Sequence, residues 1–372
     1  MFDNKLHIVS FDVPFPPNYG GIIDVFYKIK SLSELGVEIY LHAFKYKTGK
    51  SEELKKYCKK VYYYPRETSF NKLFSSLPYI VCSRKNKQLL INLKTIDAPI
   101  LFEGLHTTYP LVYENFRNRK VLVRAHNIEH NYYKGLAKSE TNLIKKIFFI
   151  SEAKKLESYE KILQKVDYIL TISGSENQYF NKTYKTKSIY IPVFHSNKTV
   201  KKLTAKGSYA LYHGDLGVAD NIRAVKYLID IFKHINYPLK IVGDIKKLKS
   251  TTFNKKYSNI SFVQLNNQNQ LKDLLNKAHI NVLPTFQNTG VKLKLINTLY
   301  NGRFCIVTKE MVENNGLDSL CIVSNNKTDF TDSILKLIDR DYTNEEMSKR
   351  EVLLKEFEKK TNTLKIIQIL NN

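Results

Sequence analysis

Short apolar runs alternate with longer amphipathic stretches along the second half of the chain. The apolar runs predict strands at 209–213, 239–242, 260–265, 280–283, 304–307 and 321–323. Between them, apolar residues recur at helical spacing near 220–234, 268–277, 290–301 and 308–315. Strands that alternate with helices in this way are typical of a parallel sheet with helices on both faces. The second half is therefore predicted to be a doubly wound, Rossmann-like α/β domain.

The first half of the chain opens with the same pattern. A strand at 6–11 is followed by a proline-rich loop, the pair Gly20 and Gly21, a helix near 22–35 and a strand at 37–44. This order predicts a Rossmann-like βαβ unit, but it lacks GxGxxG, so a dinucleotide cofactor is not expected. The two glycines can admit a phosphate to the backbone, or they can simply form the turn.

Polar residues follow two further apolar runs of the first half, within 99–111 and 120–133. Ligands of open α/β sheets bind at the carboxyl ends of the strands, so these polar residues are candidates for a site. They are Glu103, His106, Arg124, His126, Asn127, Glu129 and His130. A cluster rich in histidine and carboxylate can bind a metal.

The stretch 278–308 has the most informative pattern, which is strand, polar loop, helix and strand. Gly290 at the predicted helix start lets the backbone approach a ligand, and the free N–H groups of the first turn attract an anion. Lys292 and Lys294 add two positive charges. The pattern therefore predicts a phosphate site, with Asn297 placed to hydrogen-bond a group beyond the phosphates, such as a ribose. An ordinary βαβ helix with solvated lysines is the alternative interpretation.

A length of 372 residues fits two domains better than one ordinary core. We place them at 1–195 and 196–355, and the second begins with a lysine-rich linker. Residues 356–372 are predicted to form a C-terminal helix. Its apolar residues suit docking back onto the first domain, although the helix could also stay with the second.

The composition favours a soluble globular protein over a secreted or membrane-spanning one. A hydrophobic content of 43% is that of a soluble globular protein. Nothing resembles a signal peptide, and no run approaches the roughly 18 apolar residues of a membrane span. We therefore expect the protein in the cytoplasm.

A formal charge of +24 predicts attraction to anionic surfaces or phosphorylated ligands. The charge is concentrated in residues 45–94, which hold 13 lysines and arginines against 3 acidic residues, interleaved with tyrosines and phenylalanines. Such a mixture suits the headgroup region of an anionic membrane, so we expect peripheral binding to the inner face of the cell membrane through 45–94. A solvated basic surface with a few core aromatics is the alternative.

The residues in 278–308 are similar to the donor-binding segment of family-four glycosyltransferases of the GT-B fold. These are retaining enzymes that take a sugar from a nucleotide diphosphate sugar, with two Rossmann-like domains facing a central cleft. The loop after the first strand of the second half, YHGDLGVADNIRAVKYL, resembles the family's glycine-containing loop, where Gly214 lets the diphosphate approach. His126 matches by position the family histidine that contacts the donor sugar. The resemblance covers essentially the whole chain.

The chain departs from the family pattern at three positions. Thr289 and Asn297 stand where the family usually carries two glutamates, the second of which holds the ribose hydroxyls. Asp215 follows Gly214 where many relatives have an arginine. The basic residues that could replace that arginine in neutralising the diphosphate are Arg223, Lys292 and Lys294.

The resemblance implies transfer of a hexose-type sugar from a UDP- or GDP-sugar to a carbohydrate acceptor, such as a lipid-linked glycan, in surface glycan biosynthesis. It implies no metal and no cofactor. The donor-binding residues would be Gly20, Gly21, Gly214, Arg223, Thr289, Gly290, Lys292, Lys294 and Asn297. His126 would be the catalytic residue that orients the sugar, and the acceptor contacts would be Tyr19, Asn127 and Glu129.

Three alternatives stay open at this point. A nucleotide-sugar 2-epimerase could use the same two domains. A GT-B protein without catalytic activity is another possibility, because the two glutamates are replaced. The charge alone suggests a nucleic-acid-binding protein, but no helix-turn-helix, finger or aromatic RNA-binding motif accompanies it, so nucleic acid is not the expected partner.

Overall fold

The computed structural model describes residues 3–45, 49–116, 118–140, 142–203, 205–248, 257–287, 293–313 and 315–372. These residues divide into two compact domains. The first contains the described residues up to Ser196 together with Glu356–Asn372, and the second contains those between Asn197 and Lys355.

The first domain is built on a seven-stranded sheet whose neighbouring strands all pair in parallel. Its strands are β1 (Lys5–Ser10), β2 (Glu38–Lys45), β3 (Lys60–Pro65), β4 (Ile100–Glu103), β5 (Val121–Ala125), β6 (Tyr168–Thr171) and β7 (Lys187–Tyr190). Their order across the sheet is β3-β2-β1-β4-β5-β6-β7. The order reverses between β1 and β4, and ligands of such sheets bind beyond the carboxyl ends of the strands at this point.

The helices that connect these strands vary in length. They are α1 (Gly20–Glu34), α2 (Tyr79–Cys82), α3 (Lys87–Lys94), α4 (Pro110–Tyr113), α5 (Glu129–Ser139), α6 (Leu143–Tyr159) and α7 (Gly174–Thr183). Helix α1 buries Val25, Ile29 and Leu32, which recur at helical spacing and form part of the domain core. The βαβ opening predicted from the sequence is therefore confirmed.

Strand β3 lies in a stretch for which the sequence analysis predicted no strand. Residues 60–65 belong to the basic and aromatic stretch 45–94, yet they pair with β2 at the edge of the sheet. The Tyr62 ring stacks on the His42 ring with 4.8 Å between centroids, and Tyr64 is only 3% exposed. Tyr64 is therefore not part of an exposed aromatic surface, and Tyr62 is half-buried through its contact with His42.

A chain of side-chain hydrogen bonds crosses β1, β2 and β3. His7 Nδ1 lies 2.9 Å from His42 Nε2, and His42 Nδ1 lies 2.8 Å from the Tyr64 hydroxyl. The chain ends at the Ile96 carbonyl, 3.1 Å from His7 Nε2, and at the Asn92 amide, 2.8 Å from the Tyr64 hydroxyl. Burial lowers the pKa of both histidines, that of His42 well below its ordinary value, so both rings are neutral at neutral pH.

The second domain has a six-stranded parallel sheet. Its strands are β8 (Ala210–His213), β9 (Leu239–Gly243), β10 (Ile260–Gln264), β11 (Ile280–Leu283), β12 (Phe304–Val307) and β13 (Ile322–Val323). Their order is β10-β9-β8-β11-β12-β13, so the reversal lies between β8 and β11. The six strands predicted for this half are all present, and their ends agree with the prediction to within one residue.

The described helices of the second domain agree less completely with the prediction. They are α8 (Ala219–Phe232), α9 (Gln268–Lys277), α10 (Leu293–Asn301), α11 (Lys309–Val312), α12 (Lys327–Ile338) and α13 (Asn344–Leu353). Helix α11 is only a single turn, and α12 falls in a stretch for which no helix was predicted. Helix α12 buries Phe330, Ile334 and Leu337 at helical spacing, so the necessary pattern is present in the sequence.

The last helix, α14 (Lys359–Asn371), packs in the first domain. Ile366, Ile369 and Leu370 are buried in the same hydrophobic cluster as α1. The Thr363 hydroxyl donates a hydrogen bond of 2.7 Å to Ser31 of α1. The first domain is therefore completed by the end of the chain.

Among the described residues, no helix is both long enough and apolar enough to cross a membrane.

Truncating the buried side of α14 should destabilise the first domain. We expect Ile366→Ala to lower its free energy of unfolding by about 2–5 kcal/mol, because Ile366 is fully buried and its removal leaves a cavity. Leu364→Ala, on the same helix but 50% exposed, is the matched control and should cost less than about 1 kcal/mol. The measurement is urea unfolding of both variants, and equal midpoints would contradict the packing described here.

Candidate functional site

Four buried charges lie together near the carboxyl ends of β4 and β5. Asp24 and Lys28 come from successive turns of α1, Glu103 ends β4 and Arg124 lies on β5. The Lys28 Nζ atom is 3.0 Å from Asp24 Oδ2 and 2.8 Å from Glu103 Oε1. Arg124 Nη2 is 2.9 Å from Asp24 Oδ1. We call these four residues the buried charge cluster; its two positive and two negative side chains are each at most 1% exposed.

Asp24 contacts both cations of this cluster. Arg124 binds it with two nitrogens, since Nε also lies 3.1 Å from Asp24 Oδ2. The Phe194 backbone N–H donates to Asp24 Oδ1 at 2.8 Å. Burial would raise the pKa of Asp24, but Arg124 and Lys28 outweigh burial and hold that pKa well below its ordinary value. The carboxylate is therefore ionised although it has no access to water.

His126, the predicted catalytic residue, lies directly after β5 and is 9% exposed. Its Nε2 atom is 3.0 Å from Glu103 Oε2, and its ring meets the Phe11 ring edge-on with 5.5 Å between centroids. An ionised Glu103 can only accept a hydrogen bond, so Nε2 carries the hydrogen and Nδ1 is the second polar atom of the ring. The structure thus brings His126 together with Glu103, another member of the predicted strand-end group.

Three of these residues have the spacing of a metal site. Asp24, Glu103 and His126 each offer one ligand atom, and these atoms lie within 4.8 Å of one another. However, the Lys28 ammonium donates to both carboxylates at 3.0 Å. Since Lys28 and Arg124 already neutralise the two carboxylates, the group is not suited to a divalent cation.

The predicted phosphate glycines form the start of α1. Gly20 and Gly21 are its first two residues, and the side chain of the preceding residue, Tyr19, makes no capping hydrogen bond. A Cβ atom on Gly21 would lie 2.7 Å from the Phe11 ring, so the space beside Gly21 is filled by Phe11. Tyr19 is 38% exposed, and its hydroxyl donates to Asp12 Oδ2 at 3.0 Å. Tyr19 and Gly20 are thus exposed, whereas Gly21 is half-buried.

Glu129, predicted to contact the acceptor, begins α5 and is only 2% exposed. Burial raises the pKa of Glu129 to about 8, although a hydrogen bond from Asn127 lowers this pKa in part. The nearby carboxyl groups of Glu176 and Glu160 raise the pKa further. Glu129 is therefore protonated at neutral pH, whereas Asn127 is half-buried and more accessible.

His106 lies beside Glu129 in the same region. Its Nδ1 atom is 3.9 Å from Glu129 Oε1. Burial lowers the pKa of His106 well below its ordinary value, and the buried Arg84 guanidinium adds to this effect. Both partners of the pair are thus uncharged at neutral pH. His130, the last member of the strand-end group, pairs instead with Glu160 at 3.2 Å.

In the second domain, the carboxyl end of β8 lies close to α8 and α10. A Cβ atom on Gly214 would come within 3.3 Å of the Asn221 side chain. Lys294 donates to Asn221 Oδ1 at 3.1 Å, and its ammonium lies 5.3 Å from the centre of the Tyr212 ring. The structure therefore brings together two predicted donor residues, Gly214 and Lys294, through Asn221.

Asp215 is compensated by a lysine that the sequence analysis did not single out. The Lys247 Nζ atom lies 2.9 Å from Asp215 Oδ1, and the Gly217 backbone N–H donates to the same oxygen at 3.0 Å. Both side chains are about half exposed, since 46% of Lys247 and 49% of Asp215 is accessible. The carboxylate next to Gly214 is thus partly neutralised by a cation from the β9 loop.

Arg223 is exposed on α8 and stacks on Phe286, with its guanidinium carbon 3.9 Å from the ring centre. The loop that contains Phe286 follows β11. It is held by Asp220, which accepts from the Thr285 hydroxyl at 2.7 Å and from the Phe286 N–H at 3.2 Å. Arg223 is therefore positioned beside the start of the loop that connects β11 to α10.

Asn297, the predicted ribose contact, belongs to a group of three asparagines. Its Oδ1 atom accepts from Asn197 Nδ2 at 2.9 Å. Asn301 donates to Asn197 Oδ1 at 2.9 Å and to the Asn297 carbonyl at 2.8 Å. One acceptor position of Asn297 is thus used inside the domain, and the ribose contact stays a prediction.

Three predicted donor residues, Thr289, Gly290 and Lys292, lie outside the described residues. Helix α10 is described from Leu293 onward, so the predicted phosphate site at the start of this helix remains a prediction.

Some residues of these two sites were missed by the sequence analysis. Asp24 and Lys28 are four residues apart in a helix whose other buried residues are mostly apolar, and that spacing was a usable signal. Asn221 and Lys247 carry no such signal, because their contacts depend on how separate segments of the second domain pack.

The comparisons with known proteins concern both parts of the chain. Residues 207–340 match the family described as Glycosyl transferases group 1. A protein from Klebsiella pneumoniae, described as an uncharacterized 44.6 kDa protein in cps region, is 27% identical over 354 residues, which is 89% of this chain and 90% of the relative.

Two solved structures extend the similarity to the whole fold. TarM has a TM-score of 0.71 at 12% identity, with 100% of both chains covered. An S. aureus TarM variant, solved with Fondaparinux, alpha-GlcNAc-glycerol and UDP, has a TM-score of 0.65 at 12% identity and covers 99% of this chain and 100% of that chain. At this identity the likeness shows the fold alone, and it confirms the predicted GT-B fold with two Rossmann-like domains.

Removing the lysine of the buried charge cluster should be strongly destabilising. We expect Lys28→Met to lower the free energy of unfolding by about 3–5 kcal/mol, because Glu103 loses its cation in the interior. Lys30→Met removes a half-buried lysine of the same helix and should cost no more than about 1 kcal/mol. The measurement is denaturant unfolding at neutral pH, and similar losses in both variants would contradict the role of the cluster.

The pKa of Glu129 predicts a pH dependence of stability. The folded protein holds the proton up to about pH 8, whereas the unfolded chain loses it near the ordinary value of 4.5. The protonated Glu129 therefore makes its full contribution to folding stability below the unfolded pKa of 4.5, and this contribution is lost as the pH rises through the folded pKa of about 8. Relative to Glu129→Gln, the free energy of unfolding of the parent should fall by up to ~1.4 kcal/mol per pH unit in this window.

The measurement is denaturant unfolding of the parent and Glu129→Gln from pH 5 to 9. A constant difference between the two proteins over this range would show that Glu129 is not held in its protonated form.

Proposed function

From the Glycosyl transferases group 1 domain at residues 207–340, we propose that the chain is a nucleotide-sugar-dependent glycosyltransferase. It transfers a hexose-type sugar from a UDP- or GDP-sugar to a carbohydrate acceptor, a lipid-linked glycan, with retention of configuration. The family match is the observation that carries the proposal. The cps region of the Klebsiella relative supports surface glycan synthesis, and the TarM variant solved with UDP supports a uridine donor.

The donor diphosphate is assigned to the carboxyl edge of the second sheet. Lys294 and Arg223 supply positive charge there. Gly214 keeps its predicted part in the site, although the Asn221 side chain and the Tyr212 hydroxyl already lie within 3.3 Å of the position that a Cβ atom would take. Negative charge grows on the diphosphate as the glycosidic bond breaks, so cations held in place near it lower the barrier. Thr289, Gly290 and Lys292 keep their predicted part in this site, and Asn297 keeps its predicted ribose contact.

The reaction as proposed needs no metal ion and no cofactor. Lys294 and Arg223 provide the charge that a metal would otherwise bring to the leaving diphosphate. In the first domain, the carboxylates that could ligate a metal are already paired with Lys28 and Arg124.

The sugar and the acceptor are assigned to residues of the first domain. His126 orients the donor sugar, and Glu103 fixes the ring through its Nε2 hydrogen, which leaves Nδ1 for a sugar hydroxyl. Tyr19 and Asn127 contact the acceptor. Glu129 is almost fully buried, so we assign it a positioning role through its hydrogen bond with Asn127.

An anionic membrane is the proposed second partner. A lipid-linked acceptor lies at a membrane, and the basic stretch 45–94 supplies attraction to acidic headgroups. Peripheral attachment to the inner face of the cell membrane is part of the proposal.

Transfer is tested with the full-length protein, a panel of UDP- and GDP-sugars and lipid-linked glycans extracted from cells. We expect release of the nucleoside diphosphate to depend on the acceptor, and mass spectrometry to show an acceptor extended by one sugar. Nuclear magnetic resonance of the product should show the anomeric configuration of the donor. Turnover of the nucleotide sugar without any acceptor would instead identify an epimerase or a hydrolase.

Replacing Lys294 should separate phosphate recognition from base recognition. We expect Lys294→Ala to weaken binding of UDP or GDP by ~10-fold or more, since a charge-assisted contact is lost, while uridine or guanosine binding changes little. Lys277→Ala is the control, because Lys277 lies just before β11, at the amino ends of the strands and not at their carboxyl ends. Calorimetric titration measures both constants, and an equal loss for nucleotide and nucleoside would argue against a phosphate contact.

A further inference from the structure

The most exposed apolar side chains of the described residues are concentrated in two segments of the first domain. Leu143, Ile144 and Ile147 on α6 are 74%, 80% and 67% exposed, and Phe70 and Phe74 are 70% and 79% exposed. Each of the other described large apolar side chains is less exposed than these five. Scattered single residues of this kind are normal on a protein surface, but a concentration marks a site of interaction.

The first two turns of α6 have no covering element among the described residues. Every residue from Asn142 to Ile147 is exposed, and burial begins only in the second half of the helix, at Glu152, Ala153 and Leu156. At 3.6 residues per turn, Leu143, Ile147 and Ile150 fall within about 60° of one another around the helix. This is the apolar stripe of a helix that normally packs on a core, yet here it faces solvent.

The second segment packs along the same helix. Phe70 and Phe74 lie in a short 3₁₀ turn, and their rings meet edge-on with 5.4 Å between centroids. This turn and the residues after it are attached to the second half of α6, since the Leu73 carbonyl accepts from Lys155 Nζ at 3.0 Å and the Tyr79 N–H donates to Glu152 at 2.6 Å. The two exposed segments are therefore neighbours in one region of the first domain.

Several tyrosines of 45–94 take part in packing within the first domain. Tyr62 and Tyr64 pack in the sheet, and the Tyr57 ring meets the Phe26 ring edge-on with 5.8 Å between centroids. Among the described large apolar residues of this stretch, Phe70 and Phe74 are the most exposed, ahead of Ile91 at 56%.

Charge favours an anionic lipid surface over a second copy of this chain. Lys145 and Lys146 are both exposed; Lys146 lies next to the apolar stripe, about 40° from Ile150 around the helix, and Lys145 lies on the opposite face. A chain with a formal charge of +24 repels its own copies, whereas acidic headgroups attract it. Aliphatic side chains next to a lysine suit the boundary between acyl chains and headgroups.

We propose that the first two turns of α6, together with Phe70 and Phe74, insert into the interfacial region of an anionic bilayer. This proposal names the residues that would contact the membrane, and it rests on the proposed function, in which the acceptor lies at a membrane. Its test contains no nucleotide sugar, so failure of membrane insertion and failure of the transferase proposal can be told apart.

The test is co-sedimentation of the full-length protein with vesicles of phosphatidylglycerol and phosphatidylcholine, and with vesicles of phosphatidylcholine alone. The variant Leu143→Ser/Ile144→Ser/Ile147→Ser should reduce partitioning to anionic vesicles by ~10-fold or more, because three aliphatic side chains lose their burial in lipid. Phe70→Ser/Phe74→Ser should reduce it as well. Leu335→Ser, a 53% exposed position on α12 in the second domain, is the matched control and should leave partitioning unchanged.

The lysines are tested separately. Lys145→Glu/Lys146→Glu should weaken partitioning to the anionic vesicles and should leave the weaker binding to phosphatidylcholine alone unaffected. All these positions are exposed, so thermal melts should match that of the parent. Unchanged partitioning of both the triple serine and the double phenylalanine variant would overturn the proposal. A parent protein that elutes as a dimer and a triple variant that elutes as a monomer, with no vesicle binding by either, would also overturn it.

Discussion

The first domain depends on the neutralisation of one buried carboxylate. Asp24 has no access to water, and its oxygens receive hydrogen bonds from Lys28, Arg124 and the Phe194 backbone. A buried charge without partners costs several kcal/mol, so α1, β5 and the segment after β7 are joined at this carboxylate whenever the domain is folded. His126 follows Arg124 by two residues and lies directly after the same strand. The residue assigned to the donor sugar is therefore placed by the same ion pair that holds the domain together.

The second domain positions its candidate residues mainly with neutral and charge-assisted hydrogen bonds. Two consecutive residues at the start of α8 bind different segments of the domain. Asp220 holds Thr285 and Phe286 in the loop after β11, whereas Asn221 accepts from Lys294 on α10. One helical turn thus fixes both the loop and the lysine that are assigned to the donor. Because these contacts involve three separate segments, a small shift of α8 would move all of them together.

Much of the fold was predictable from sequence, because the buried strands of a parallel sheet read as short apolar runs. All strands of the second domain were found in this way. Strand β3 was missed because its tyrosines, of which Tyr64 is buried, stand among the lysines of 45–94 and resemble a surface stretch. The site was less predictable. His126 and Glu103 were indicated by their place at strand ends, but the Lys28 contact with Glu103 joins residues far apart in the chain, which no local pattern reports.

The hydrogen-bonded chain across β1, β2 and β3 has a consequence for where its hydrogens lie. Asn92 can only donate to Tyr64 through its amide nitrogen, and the Ile96 carbonyl can only accept from His7. If every link is formed, Tyr64 donates to His42, His42 to His7 and His7 to the carbonyl. All the hydrogens then point the same way, and each ring is confined to its Nε2–H tautomer. A proton added to either ring would bring two N–H groups face to face or leave the tyrosine without an acceptor, so these three strands share a single arrangement of hydrogens.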